Sequence, residues 1–181
     1  MHPITRELLA YLDEQRSVLK SAFESIPAEM RDRSPAPERW SAANVVEHLS
    51  IVETRIARVL SDRIEESRSG LSAETRTDPI LPTIDYKRMY DRSTRVKAPE
   101  VVIPTGLLDA ASAWAALENA GSMMRSMLLA NDGLALSTVT HPHPRFGTLS
   151  VYEWVAFLGA HEVRHAEQIR EASPQILKTA K

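Results

Sequence analysis

Three histidines carry the chemistry this sequence offers. His161 and His165 lie four residues apart in the run YEWVAFLGAHEVRHAEQI, residues 152–169. At helical period, Trp154, Leu158, His161, His165 and Ile169 share one stripe. That stripe is apolar except at the two histidines. Side chains at i and i+4 start roughly 6 Å apart on a helix surface, so both rings can reach one metal ion. His48 interrupts an earlier apolar stripe in the same way, three residues after Val45 and four before Val52. Neutral imidazole is the commonest protein ligand for zinc and also suits nickel, copper and iron. A structural zinc site closes with four protein ligands, whereas a catalytic one uses three and keeps a position open. Three histidines and no cysteine point to an open divalent-metal centre, with zinc or nickel the leading ions. The bland alternative is a set of neutral histidines satisfied within a core.

The same string reads His161-Glu162-Val163-Arg164-His165, the H-E-x-x-H pattern of zinc metalloproteases. Those enzymes take their third ligand from downstream. Here residues 166–181 hold no histidine, so the third ligand has to come from upstream, at His48. No strand pattern offers an edge to hold a peptide. Glu162 sits about 100° round the helix from His161 and is a candidate general base or support for a ligand. Its plain alternative is a solvated surface carboxylate. Asn44 lies one turn before His48 and Arg55 two turns after it. Gln168 is three residues past His165. Each is a candidate to contact substrate or steady a histidine, against alternatives as a cap, a surface group or a neighbour contact. Trp154 is a core residue that can also wall the pocket. His141 and His143, in the proline-flanked loop HPHPRFG at 141–147, are further pocket candidates.

Four helical patterns must position these groups. The first runs from about residue 3 to 26, with Ile4, Leu8, Leu12, Leu19, Phe23 and Ile26 on its apolar face, and Pro27 stops it. Ser41 is a good N-cap for the second. Val45, Leu49, Val52, Ile56, Val59, Leu60 and Ile64 continue that helix toward Gly70. Residues 71 to about 107 hold Pro79, Pro82, Pro99 and Pro104 and little periodicity. A connection that long lets the helices it joins lie parallel. The third helix spans about 108 to 130, with Trp114, Leu117, Gly121, Met124 and Leu128 inward. After a short connector the fourth opens with a Ser150/Glu153 capping box and a Leu149/Trp154 staple. It is expected to end near Ala172, ahead of Pro174. The fold expected is all-α, a four-helix bundle with a long crossover between helices two and three, in one domain over residues 1–181.

Composition narrows the function. Hydrophobic residues make up 43% and charged residues 25%, ordinary for a soluble domain. The net charge of −2 attracts neither nucleic acid nor an anionic membrane. There is no cysteine, so disulfides, thiolate ligands and a cysteine nucleophile are excluded, and any thiol in the chemistry comes from outside. No run reaches 18 apolar residues and the N-terminal run has no apolar h-region, so no membrane span and a cytoplasmic location are expected.

These pieces together resemble the DinB/YfiT-like superfamily of metal-binding four-helix proteins. The matching residues are Trp40-Ser41 ahead of Glu47-His48-Leu49, then HPRFGTLS at 143–150, then HEVRHAEQI at 161–169. They occur in order across nearly the whole chain. The resemblance implies a bundle whose three histidine ligands map to His48, His161 and His165. It also implies a divalent metal and a homodimer. Characterised relatives include transferases that use a low-molecular-weight thiol and a thiol-dependent isomerase. The leading expectation is therefore a transferase acting on a small-molecule substrate with an external thiol. A metal-dependent hydrolase, with metal-bound water as nucleophile and Glu162 as base, is the second. A non-enzymatic, stress-related metal-binding protein is the third.

Overall fold

The computed structural model describes residues 1–85 and 97–178. Residues 86–96, inside the long connection, and residues 179–181 lie outside it. The described residues are 67% helical, and among them are four α-helices and one small two-stranded sheet. Among the described residues no helix is long and apolar enough to cross a membrane.

Each helix starts where its sequence supplies a cap. Helix α1 spans Pro3–Glu24, and the His2 ring accepts the Ile4 N–H. Helix α2 spans Ala42–Ser67 behind a reciprocal box. The Asn44 N–H donates to Ser41 Oγ at 3.1 Å, and the Ser41 N–H donates to Asn44 Oδ1 at 3.1 Å. Helix α3 spans Ala110–Ala130, and Asp109 accepts the Ser112 N–H at 2.7 Å. Helix α4 spans Val151–Lys178. Its box is the expected one, with Glu153 accepting the Ser150 N–H at 2.7 Å and Ser150 Oγ accepting the Glu153 N–H at 3.3 Å.

Two elements differ from the sequence reading. Helix α4 does not stop at Ala172 but carries Pro174 within it. Proline removes one helical hydrogen bond and crowds the preceding turn. The apolar stripe continues through Ile169, Ala172 and Ile176, all buried, and that burial offsets the loss. The connector before α4 is not structureless. It holds strands β1 (Thr140–His143) and β2 (Gly147–Ser150), paired antiparallel with His143 opposite Gly147. Gly147 has φ +79°, which closes the turn without a Cβ clash. Residues 101–103 add no strand; Glu100–Val102 is a turn of 3₁₀ helix.

The apolar core is in two clusters, and a polar layer separates them. One cluster takes Ile4 and Leu8 from α1, Leu60 and Ile64 from α2, Met124 and Leu128 from α3, and Val155 and Leu158 from α4. The other takes Leu19 and Phe23, Val45 and Leu49, Ala113 and Leu117, and Ala166 and Ile169 from the same four helices. Between them along the chain stand Arg16, Glu53, Gly121 and Glu162, one residue on each helix. The Arg16 guanidinium donates to Glu162 at 2.9 and 2.8 Å, to Glu53 at 2.8 Å and to the Leu117 carbonyl at 3.1 Å. A Cβ at Gly121 would stand 3.3 Å from that guanidinium, so glycine leaves it room.

Helices α1 and α4 approach closely at Gly159. A Cβ there would lie 2.3 Å from Tyr11 Cε1. Tyr11 is itself pinned, because its hydroxyl donates to the Ala156 carbonyl at 3.1 Å. Gly159→Ala forces the ring or the helix to shift. We expect it to cost about 1–3 kcal/mol, the usual range for overpacking. A denaturant midpoint equal to wild type would show that the ring moves freely.

Candidate metal centre

His48 projects from α2 and His161 and His165 from α4, and one nitrogen from each lies within 4.8 Å of the others. The four-residue spacing on α4, about one turn, brings His161 Nε2 and His165 Nε2 to 3.0 Å. Two nitrogens each about 2.0–2.1 Å from one tetrahedral ion lie roughly 3.3 Å apart, so the pair is almost in place.

The hydrogen bonds on the far sides of the rings decide which nitrogens are free. His48 Nδ1 lies 2.7 Å from the Val102 carbonyl oxygen. A carbonyl only accepts, so the ring proton is on Nδ1 and Nε2 keeps its lone pair. His165 Nδ1 donates to Gln168 Oε1 at 2.8 Å, which places the lone pair of that ring on Nε2, the nitrogen that faces His161. Such partners fix the tautomer and raise ligand basicity. His161 Nδ1 is buried without a protein partner, and a ligand bond through Nε2 leaves the ring proton there. Burial lowers the pKa of His48, and the Val102 carbonyl only partly opposes it. Burial and the neighbouring His165 and His48 hold His161 well below the usual value. Neutral rings are the form that binds metal. The residues present therefore fit a divalent ion.

The DinB superfamily sequence profile matches residues 11–169, a stretch that contains all three histidines. This chain belongs to the DinB superfamily. It is 24% identical over 178 residues to YuaE of Bacillus subtilis (strain 168), an uncharacterized protein. The alignment covers 93% of this chain and 98% of YuaE. No solved structure matches the chain.

An aromatic wall adjoins the histidines of this DinB-superfamily site. Phe157 stacks on His161 with centroids 5.2 Å apart and meets the edge of His143 at 4.6 Å. His143 also packs on Phe146 at 4.6 Å and Trp154 at 5.0 Å. The hairpin, not a bare loop, carries His141 and His143. Its turn amides, Arg145 N–H and Phe146 N–H, both donate to His143 Nδ1 at 3.0 and 3.2 Å. The neutral ring therefore carries its proton on Nε2. Burial, with Arg145 adding to it, pushes the His143 pKa down to about 4. Trp154 is buried and its Nε1–H donates to the His141 carbonyl at 3.0 Å, which docks the hairpin on α4. Burial and Arg63 also lower the His141 pKa.

The remaining sequence candidates fall in different places. Gln168 holds His165. Asn44 completes the α2 capping box. Arg55 is exposed. Glu162 is not a surface carboxylate, being 1% exposed with both oxygens on Arg16. Sequence reasoning gave no role to Arg16, Glu47 or Glu53. Arg16 falls between Leu12 and Leu19 on the apolar face of α1, and Glu53 follows Leu49 by four. A polar residue breaking an apolar stripe is the signal that found His48, and applied to every residue type it finds these two.

The Arg16 charge faces two carboxylates. Burial raises the Glu53 pKa well above the usual value, the nearby Glu162 raises it further, and Arg16 opposes both. Folding thus takes up a proton here. That contribution favours the folded state in acid and is lost as pH rises from the unfolded value through the raised folded one. Glu53→Gln copies the protonated form and removes the dependence. Thermal melts should show the variant gaining on wild type as pH is raised from about 5 to about 8. Parallel curves over that range would place the proton elsewhere.

Proposed function

We propose that the chain is a metal-dependent enzyme that transfers a low-molecular-weight thiol to a small electrophile. The observation that carries this reading is the donor set: three clustered imidazoles, two with the proton pinned on the outer nitrogen, in a chain without cysteine. A zinc or nickel ion held by His48, His161 and His165 would supply charge that favours the thiolate form of an incoming thiol. The thiol is a co-substrate. Its S–H bond and the electrophile's carbon–leaving-group bond break, and the sulfur lone pair forms the new C–S bond. The leaving group departs with its bonding pair, and the thiol proton balances its charge.

The chain's own residues set the approach. His161 is the partly exposed member of the trio, so small molecules enter on its side. Phe157 and Phe146, both half-buried, offer that side an apolar face for the electrophile, with Trp154 buried behind them. His143, with its proton on Nε2, is a hydrogen-bond donor for substrate rather than a ligand through that nitrogen. We assign Glu162 to holding α4 against Arg16, not to base catalysis, because both its oxygens are taken.

The same reading includes a four-helix bundle with a long crossover between α2 and α3. Helices α1 and α4 meet the two apolar clusters in one order along the chain, and α2 and α3 meet them in the reverse order. That order supports α2 and α3 running parallel, with the long connection returning the chain between them. A cytoplasmic homodimer completes the proposal, and light scattering in solution tests the dimer.

The functional test is thiol consumption by zinc- or nickel-loaded protein with 1-chloro-2,4-dinitrobenzene or an alkyl halide as electrophile. Turnover that needs both thiol and metal is expected. Equal rates for loaded and chelator-stripped protein across a panel of small thiols would overturn the reading.

A further inference from the structure

We propose that Glu47 is a positioning residue for the three-histidine centre, acting through the 102–106 segment on the tautomer of His48. Glu47 is 2% exposed on α2, next in sequence to His48. Its Oε1 accepts the Thr105 N–H at 2.8 Å and the Thr105 hydroxyl at 2.5 Å, and its Oε2 accepts the Gly106 N–H at 3.0 Å. All three donors belong to one short stretch of chain. Gly106 has φ +71°, which lets the backbone turn both amides onto one carboxylate. Three residues before Thr105, the Val102 carbonyl accepts from His48 Nδ1 at 2.7 Å. Adjacent residues of α2 thus grip the segment at two points.

Among the described residues, few other contacts hold this stretch. Val101, Ile103 and Leu107 are 64%, 42% and 86% exposed, so hydrophobic burial contributes little to its place. Bonds to a buried carboxylate are charge-assisted and roughly twice as strong as neutral ones. Glu47 is therefore what keeps the Val102 carbonyl over the His48 ring. Without it the ring is free to carry its proton on Nε2, and a protonated Nε2 has no lone pair for an ion. The apolar side chains at 101, 103 and 107 follow the same anchor, so Glu47 also sets where they stand.

This inference rests on the metal reading, and two separate measurements keep the two apart. The first is the His48 tautomer in the metal-free full chain, read from long-range ¹H–¹⁵N imidazole spectra. Wild type is expected to show the Nδ1–H form, and Glu47→Ala a mixture of both forms. The second is cobalt(II) affinity by visible absorption. Glu47→Ala should weaken it by about 10–100-fold, the usual effect of losing a group that orients a ligand. Glu47→Gln keeps one acceptor oxygen and should fall between. Thr105→Val removes one bond from an exposed position and should move both readouts the same way, by less; it decides the matter if Glu47→Ala does not fold. An unchanged His48 tautomer in Glu47→Ala and Thr105→Val overturns the proposal, whatever the affinity does. Wild-type protein that binds no cobalt ends the metal reading, while the tautomer shift still decides whether Glu47 sets His48.

Discussion

His48→Ala, His161→Ala and His165→Ala are each expected to lose divalent metal affinity by more than the roughly 100-fold seen when only an outer partner of a ligand is removed. Each substitution leaves two imidazoles, too few to hold an ion against water and a chelator. The three should not be equal in stability. His48 and His165 are buried, whereas His161 is partly exposed, so His161→Ala leaves the smallest cavity and should fold best. Elemental analysis after dialysis against a weak chelator gives the metal content, and circular dichroism confirms that the helices remain. Full metal in any two of the three variants would end the three-histidine arrangement. Metal loss in all three with wild-type helicity would tie the ion to these rings and not to the fold as a whole.

Arg16→Met should be the most destabilising single change away from the histidines. It leaves Glu53 and Glu162, 4% and 1% exposed at their side chains, facing each other without their cation. Removing one partner of a buried ion pair costs about 3–5 kcal/mol. Arg16 is 21% exposed at its side chain, which favours the lower end. In a chain this long, 1 kcal/mol moves the melting midpoint by about 2–4 °C. A fall of roughly 6–12 °C at neutral pH follows from the lower figure. Arg16→Met combined with Glu53→Leu and Glu162→Leu should recover most of it, because an apolar replacement of the whole group strands no charge. A single Arg16→Met variant melting within about 2 °C of wild type would mean that water already solvates the two carboxylates.

The helices were legible because their apolar stripes and caps are local signals. Ser41 and Ser150 each cap where a stripe begins, and apart from the C-terminal end of α4 the boundaries follow within a few residues. The three histidines that cluster were legible because a histidine on an apolar stripe is conspicuous. The tautomers were not. That of His48 depends on Val102, 54 positions away, and no spacing rule joins those two residues. Glu162 was misplaced for the same reason. Its neighbours on α4 say only that it lies beside the histidine face, while its burial is set by Arg16, 146 positions away. The hairpin was hidden by its prolines. Pro142 and Pro144 read as loop punctuation, yet a two-stranded ribbon tolerates proline where no ladder donor is needed. Pro174 misled in the opposite direction, since tertiary burial of Ile176 carries α4 through a residue that ends most helices.

The polar layer between the two apolar clusters also acts as a ruler for assembly. Apolar stripes alone let a helix slide along its neighbour, because one leucine packs much like the next. A slip of one turn, about 5.4 Å, is a different matter at Arg16. It would set the guanidinium against hydrocarbon and strand two carboxylates among leucines. The position opposite it on α3 is Gly121, where a Cβ would crowd the guanidinium at 3.3 Å. Every helix is thus measured against a single mark near its middle, and the alignment that matches Arg16 to its carboxylates also keeps His48 level with His161 and His165.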